Sequence, residues 1–258
     1  MGYLSYFLST KSFLVYFHPT FCPGNLKIVI FAIMNTQHIY NIIVAAGSGS
    51  RFGTSLPKQY CLLNGRPVLM HTIENMRKAL PDSHIVLVLN KDFVDYWAEL
   101  CEEYSFVSPI IVEGGDTRWQ SVKNAIDKIP INAQVITVHD GARPIISVAM
   151  VSRLIDALDS ALGAIPVISV TDSLRQIKED GSIPVDRSLY KAVQTPQAFH
   201  ADKLVEAYSL PFDATFTDDA SVFAALGYDV TLVEGDTNNI KITNPLDIEI
   251  VQLYLRQQ

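Results

Sequence analysis

Ile39-Tyr40-Asn41-Ile42-Ile43-Val44-Ala45-Ala46-Gly47-Ser48-Gly49-Ser50-Arg51-Phe52-Gly53 is the stretch on which the fold turns. Residues 39–45 form a short β-branched apolar run, which suits a strand buried on both faces of a parallel sheet. The run gives way to small residues, and these let backbone N–H groups come close to a phosphate. Further along, Leu69, Ile73, Met76 and Leu80 recur at the spacing of one helical face and predict a helix over 68–79. Segments 85–89, 110–112, 135–138 and 163–170 read as strands, and 93–104, 118–129 and 148–158 as helices between them. Such alternation predicts an α/β, Rossmann-like open sheet, mostly parallel, with helices on both faces. Ligands of such sheets bind beyond the carboxyl ends of the strands, which points to the loops after Ala45, Val112 and Val138.

The alternation breaks between 171 and 192. There, segments 173–178 and 188–193 flank the polar turn Glu179-Asp180-Gly181-Ser182 and read as a protruding β-hairpin arm. An isolated hairpin is marginally stable, so the arm is expected to pack on something, most simply a second subunit. A helix over 218–226, a strand over 229–233 and a last helix from Pro245 close the chain.

Composition narrows the partners. The chain has 258 residues, 48% hydrophobic and 18% charged, which suits one substantial core. Its net charge of -7 offers no general basic field, so nucleic acid is not an expected partner. An anionic ligand must instead be held by a few placed cations. Cys22, Cys61 and Cys101 form no CxxC pair, which argues against a zinc site or a disulfide framework and fits a reducing cytoplasm. Residues 1–33 hold two short apolar runs, 13–17 and 28–33, both shorter than the ~20 residues of a membrane span. We read them as an appended segment ahead of an initiator at Met34, with residues 34–258 as the folded domain. A weak membrane or targeting element is the other reading.

The first loop is neither a Walker A sequence nor a dinucleotide fingerprint. Arg51 and Lys58 follow it closely, and Pro57 stiffens the backbone before Lys58. A triphosphate carries about four negative charges, and charge-assisted bonds to Arg and Lys are the strong kind. At Asp140 two readings stand: an N-cap of the next helix, or a contact with acceptor hydroxyls or hydrated magnesium. His139 reads as structural, while Arg118 is left between Asp116 and a phosphate.

The run Ala45-Ala46-Gly47-x-Gly49-x-Arg51-x-Gly53 with Pro57-Lys58-Gln59-Tyr60 resembles the signature of 2-C-methyl-D-erythritol 4-phosphate cytidylyltransferases of the non-mevalonate isoprenoid pathway. The likeness continues through Gly114-Gly115-Asp116-x-Arg118-x-x-Ser121, Val138-His139-Asp140-Gly141-Ala142-Arg143-Pro144 and Val185-Asp186-Arg187. It extends through Gln194-Thr195-Pro196-Gln197-x-Phe199, Thr217-Asp218-Asp219-Ala220 and Asn239-Ile240-Lys241-Ile242-Thr243, leaving residues 1–33 outside. Gly141 stands where the family usually has Ala, and Ser173 where it has Thr.

The resemblance implies transfer of CMP from CTP to 2-C-methyl-D-erythritol 4-phosphate, with release of pyrophosphate. It implies that Ala45, Ala46, Gly47, Gly49, Gly115, Asp116 and Ser121 bind CTP, and that Arg51 and Lys58 meet the triphosphate. Asp140, Arg143, Ser173, Arg187, Thr217 and Lys241 would surround the sugar-alcohol phosphate, with the arm reaching into the other subunit of a homodimer. Arg51, Lys58, Arg187 and Lys241 are then the expected catalytic cations. A phosphate monoester has a second pKa of ~6 and attacks without a general base, so positioning and charge neutralisation carry the reaction. Magnesium is expected to bridge the phosphates.

Two rivals are weaker. A ribitol-5-phosphate cytidylyltransferase shares most of the phosphate pattern but differs at Ala46 and at the Ala142-Arg143 pair. A non-catalytic nucleotide-binding module of the same fold would not need both Lys58 and Lys241.

Overall fold

The computed structural model describes residues 38–47 and 56–256. Residues 1–33, Gly49 and Arg51 therefore lie outside the described residues. In chain order the first strands are β1 (Ile39–Ala45), β2 (Leu62–Leu63), β3 (Arg66–Pro67), β4 (His84–Leu89), β5 (Ile110–Glu113) and β6 (Val135–Asp140). Then follow β7 (Gly163–Ser169), β8 (Leu174–Lys178), β9 (Gly181–Val185), β10 (Lys191–Val193), β11 (Gln197–His200) and β12 (Thr231–Glu234). The helices are α1 (Val68–Ala79), α2 (Val94–Glu103), α3 (Arg118–Ile126), α4 (Val148–Ala157), α5 (Ala201–Ala207), α6 (Asp219–Ala225) and α7 (Pro245–Leu255).

β1 lies mid-sheet, parallel to β4 on one side and β6 on the other, with Ile42 opposite both Val86 and Val138. The eight-stranded sheet runs β10-β7-β11-β6-β1-β4-β5, and β12 pairs with β7. β1 alternates in the way a doubly covered strand must. Ile42 joins a core with Val122 and Ala125 of α3, Leu204 of α5 and Phe223 of α6. On the other side a methyl group on Gly141 would stand 2.9 Å from Cβ of Ala45 and 3.1 Å from Leu69 of α1. Asn41 is buried within this strand but satisfied, donating to the Ser83 hydroxyl (2.6 Å) and accepting from Thr137 (2.6 Å).

The structure differs from the sequence reading in the arm. β8 pairs antiparallel with β9, not with segment 188–193, and only Glu179 and Asp180 lie between the two strands. Gly181 at φ 131° opens the return strand. That strand also carries Pro184, tolerated because a two-stranded ribbon has only edges. Segment 191–193 becomes β10 and pairs with β7 in the main sheet.

β11 and α5 had no counterpart in the sequence reading. β11 runs antiparallel between β6 and β7, so the sheet is parallel around β1 and mixed beyond β6. β12 occupies one edge of β7, so β10 and β11 share the other, as one strand interrupted around the cis peptide Thr195–Pro196.

Three strand ends are pressed together where ligands are expected. A methyl group on Gly114, just after β5, would stand 2.3 Å from Cβ of Ala46 and 3.0 Å from the Ser121 hydroxyl. At Gly47 the same methyl would meet nothing within 4 Å among the described residues. Gly114→Ala is expected to cost about 1–3 kcal/mol by overpacking, and Gly47→Ala no more than about 0.5 kcal/mol. Urea denaturation of both variants checks this, and equal midpoints would contradict the close approach.

Candidate active site

A cavity of about 560 Å³ opens where the carboxyl ends of β1, β4, β5 and β6 converge. Its lining includes Ala45, Ala46 and Gly47 after β1, Lys58 and Gln59 from the next turn, and Gly115, Asp116 and Ser121 beyond β5. Asp140 at the end of β6 and Lys241 also line it. Nine of the residues expected to bind substrate or act in catalysis thus come together here, and Arg118 joins them.

Lys58 sits on a one-turn 3-10 helix, Lys58–Tyr60, closed by the Tyr60 N–H donating to the Pro57 carbonyl at 2.9 Å. Tyr60 anchors this turn in the core, stacked on Phe93 at 5.3 Å and edge-on to Tyr96 at 5.5 Å. Beyond β5, Thr117 caps α3 by accepting from the Gln120 N–H. The Ser121 hydroxyl accepts from the Gly115 N–H (3.1 Å) and donates to the Thr117 carbonyl (2.9 Å), so it shapes the loop from beneath.

Asp140 is the electrostatic centre of the site. Lys241 Nζ lies 2.8 Å from its carboxylate, Arg143 Nε 3.4 Å and Arg118 Nε 3.7 Å. Burial alone would raise this carboxyl's pKa, but Arg118, Lys241 and Arg143 outweigh it and hold it well below the usual carboxylate range. The N-cap reading of Asp140 is overturned: α4 starts only at Val148 and is capped by Ser147. Arg118 makes no ion pair with Asp116 among the described residues. It makes a two-pronged contact with the fully buried Asp219 at 3.1 and 2.6 Å, and Tyr208 donates to the same carboxylate at 2.6 Å.

His139 is structural. Its Nε2 lies 3.0 Å from the Arg143 carbonyl and its Nδ1 3.1 Å from the Thr195 hydroxyl. That hydroxyl accepts from the Asp140 N–H at 3.0 Å. A neutral ring that donates through Nε2 and accepts at Nδ1 satisfies every partner. The run 194–197 is therefore a brace: Thr195 holds β6's end, and Gln194 exchanges two hydrogen bonds with Asp236. Gln197 donates to Asp218 and accepts from the Ala220 N–H.

Four expected residues do not line the cavity. Arg143 lies behind it, donating to the Asn239 carbonyl at 2.7 Å besides its contact with Asp140. Thr217 is exposed just ahead of Asp218, the N-cap of α6. Ser173 and Arg187 are exposed at the base of the arm, where an Arg187 Nη donates to the Thr171 carbonyl. Conversely, Gln59, Asn90, Thr117 and Thr243 line the cavity although the sequence alone points to no role for them. Asn90 directly follows β4, so the rule that favours strand ends applies equally to its loop.

Small-residue loops at the ends of parallel strands, lining one cavity with Lys58 and Lys241, define a site of the nucleotidyltransferase class. The chain belongs to the 2-C-methyl-D-erythritol 4-phosphate cytidylyltransferase (IspD) family, whose model matches residues 39–257. It is 44% identical over 210 residues to the 2-C-methyl-D-erythritol 4-phosphate cytidylyltransferase of Bacteroides thetaiotaomicron, covering 81% of this chain and 95% of the relative. The Porphyromonas gingivalis enzyme of the same name is 44% identical over 221 residues, 85% of this chain and 98% of the relative. In structure the chain is similar to 4-diphosphocytidyl-2C-methyl-D-erythritol synthase from Anaerococcus prevotii, with TM-score 0.72 and 29% identity over 84% of this chain and 96% of that one.

Burial lowers the His139 pKa from 6.5 to about 4. The unfolded chain then binds more protons than the folded one between those values, so stability falls as pH is lowered through that window. The loss reaches about 3 kcal/mol at most. His139→Gln, which cannot take up the proton, is expected to flatten the stability curve between pH 6.5 and 4 in denaturant titrations. An unchanged slope would remove His139 as its cause.

Proposed function

We infer that this chain transfers CMP from CTP to 2-C-methyl-D-erythritol 4-phosphate, yielding 4-diphosphocytidyl-2-C-methyl-D-erythritol and pyrophosphate. The observation that carries the reading is that Lys58 and Lys241 line one cavity together with the small-residue loop 45–47 and with Gly115 and Asp116. An oxygen of the acceptor phosphate attacks the α-phosphorus of CTP, the bond to the β-phosphate oxygen breaks, and pyrophosphate leaves with the electron pair. Lys58, together with Arg51, meets the charge that builds on the leaving group. Lys241 spends one of its three donors on Asp140 and keeps two for the incoming phosphate.

Ser173 and Arg187 enter the reading through the arm. Ile177, Ile183 and Leu189 are exposed on it, an apolar surface that suits burial against a second copy. We therefore propose a homodimer in which each arm brings Ser173 and Arg187 to its partner's acceptor site, beside Thr217 and Arg143. We place the reaction in the cytoplasm, in keeping with cysteines that form no CxxC pair in the sequence. No helix among the described residues is long and apolar enough to cross a membrane.

Magnesium fits in a restricted sense. Among the described residues no group of three or more His, Cys, Asp or Glu side chains converges. The ion commonly takes one or two carboxylates, substrate phosphates and several waters. Asp140, through water, is the carboxylate that would face it, and the bound ion would neutralise part of the triphosphate charge.

With CTP and magnesium, the protein is expected to release pyrophosphate on methylerythritol phosphate and little on ribitol 5-phosphate. The opposite preference would move the assignment to the ribitol enzyme. Lys58→Ala should lower turnover by at least about two orders of magnitude without unfolding the chain. Near-normal turnover would take Lys58 out of the transition state.

A further inference from the structure

Gln59 follows Lys58 in the run Pro57-Lys58-Gln59-Tyr60 and takes no direct part in the phosphate chemistry. The structure assigns it a task. Its side chain is 4% exposed, and its Nε2 donates to the Ala45 carbonyl at 2.7 Å and to the Gly47 carbonyl at 3.1 Å. One amide group thus spans the two carbonyls on either side of Ala46.

The location gives the contact its meaning. β1's hydrogen-bond ladder runs out here: the Val44 carbonyl is taken by the Gly141 N–H at 2.9 Å, and the Ala45 carbonyl by Gln59. A side chain therefore takes over the work of a neighbouring strand at the last paired residue of β1. Because a trans peptide is planar, drawing the Ala45 carbonyl towards Gln59 turns the N–H of Ala46 to the opposite side. The same residue is bonded in sequence to Lys58, and both line the cavity. Tyr60, stacked on Phe93, fixes the far end of the turn.

We propose that Gln59 is a positioning residue for CTP: it holds the backbone of residues 45–47 in its phosphate-receiving shape and ties that loop to Lys58. This deepens the reading that the loop receives CTP, and it rests on that reading. A plain packing role for Gln59 would affect folding alone. A positioning role acts on one substrate and spares the other, since no described contact of Gln59 reaches Asp140, Arg143 or Lys241.

The test uses the full chain and two substitutions of similar size, Gln59→Met and Gln59→Glu, neither with an amide donor. Steady-state kinetics with each substrate varied, calorimetric titration with CTP, and thermal melting are read on each. Gln59→Met is expected to raise the KM and Kd for CTP about tenfold, as loss of one to two hydrogen bonds would, with the acceptor KM within about twofold of wild type. Gln59→Glu, which sets a carboxylate against two carbonyls, should be worse for CTP in the same direction. If Gln59→Glu does not fold, Gln59→Met decides alone. A folded Gln59→Met with unchanged CTP affinity, whatever its melting temperature, overturns the proposal. Failure of the wild-type chain to bind CTP would instead overturn the underlying reading, and this inference with it.

Discussion

The carboxylate of Asp140 is the constraint around which the site is arranged. It lies at the buried end of β6, where an unpaired charge would be prohibitively costly, and three cations from different parts of the chain converge on it. Arg118 comes from the start of α3, Arg143 from the loop after β6, and Lys241 from the segment before α7. Without the carboxylate these groups would repel one another. With it, they leave a net positive surface in a chain whose overall charge is -7. Such a site can receive two phosphate-bearing ligands without a basic exterior.

The fold delivers these groups because parallel strands end together. β1, β4, β5 and β6 all present their carboxyl ends to one cavity, and the loops there are narrow enough to touch. Gly114 leaves room for Ala46, and Gly141 for Ala45. The antiparallel insert β11 and the run 194–197 brace β6 from the other side, through Thr195 to His139 and Asp140. Asn239 joins the same brace, donating to the Thr195 carbonyl at 2.8 Å while its own carbonyl takes Arg143. Positioning at the site is thus shared among residues far apart in sequence.

Much of this was legible in the chain because strand and helix periods are local. β1, α1 and the later α3 and α4 appear where apolar spacing puts them, within a few residues at their ends. The arm's return strand was misplaced because Gly181 and Pro184 look like strand breakers when the strand has no second neighbour to satisfy. β11 and α5 were missed because four and seven residues carry too little periodicity to stand out. At the site, the small-residue loop and the cations behind it signalled Lys58, while Asp140 and Lys241 were marked by the family resemblance. The partner of Arg118 did not show, since Asp219 is distant in sequence and their pairing is made only by packing α3 near α6. Gln59 was visible as a letter in a motif, but its role depends on backbone carbonyls, which sequence does not display.

A double-mutant cycle between Asp140 and Lys241 tests the central claim most directly. kcat/KM for the acceptor would be measured for Asp140→Asn, Lys241→Met and the pair. If the carboxylate acts by holding the ammonium in place, the double variant should be scarcely worse than the poorer single one. Fully multiplicative losses would mean that the two side chains work independently, and the shared anchor described for them would be wrong.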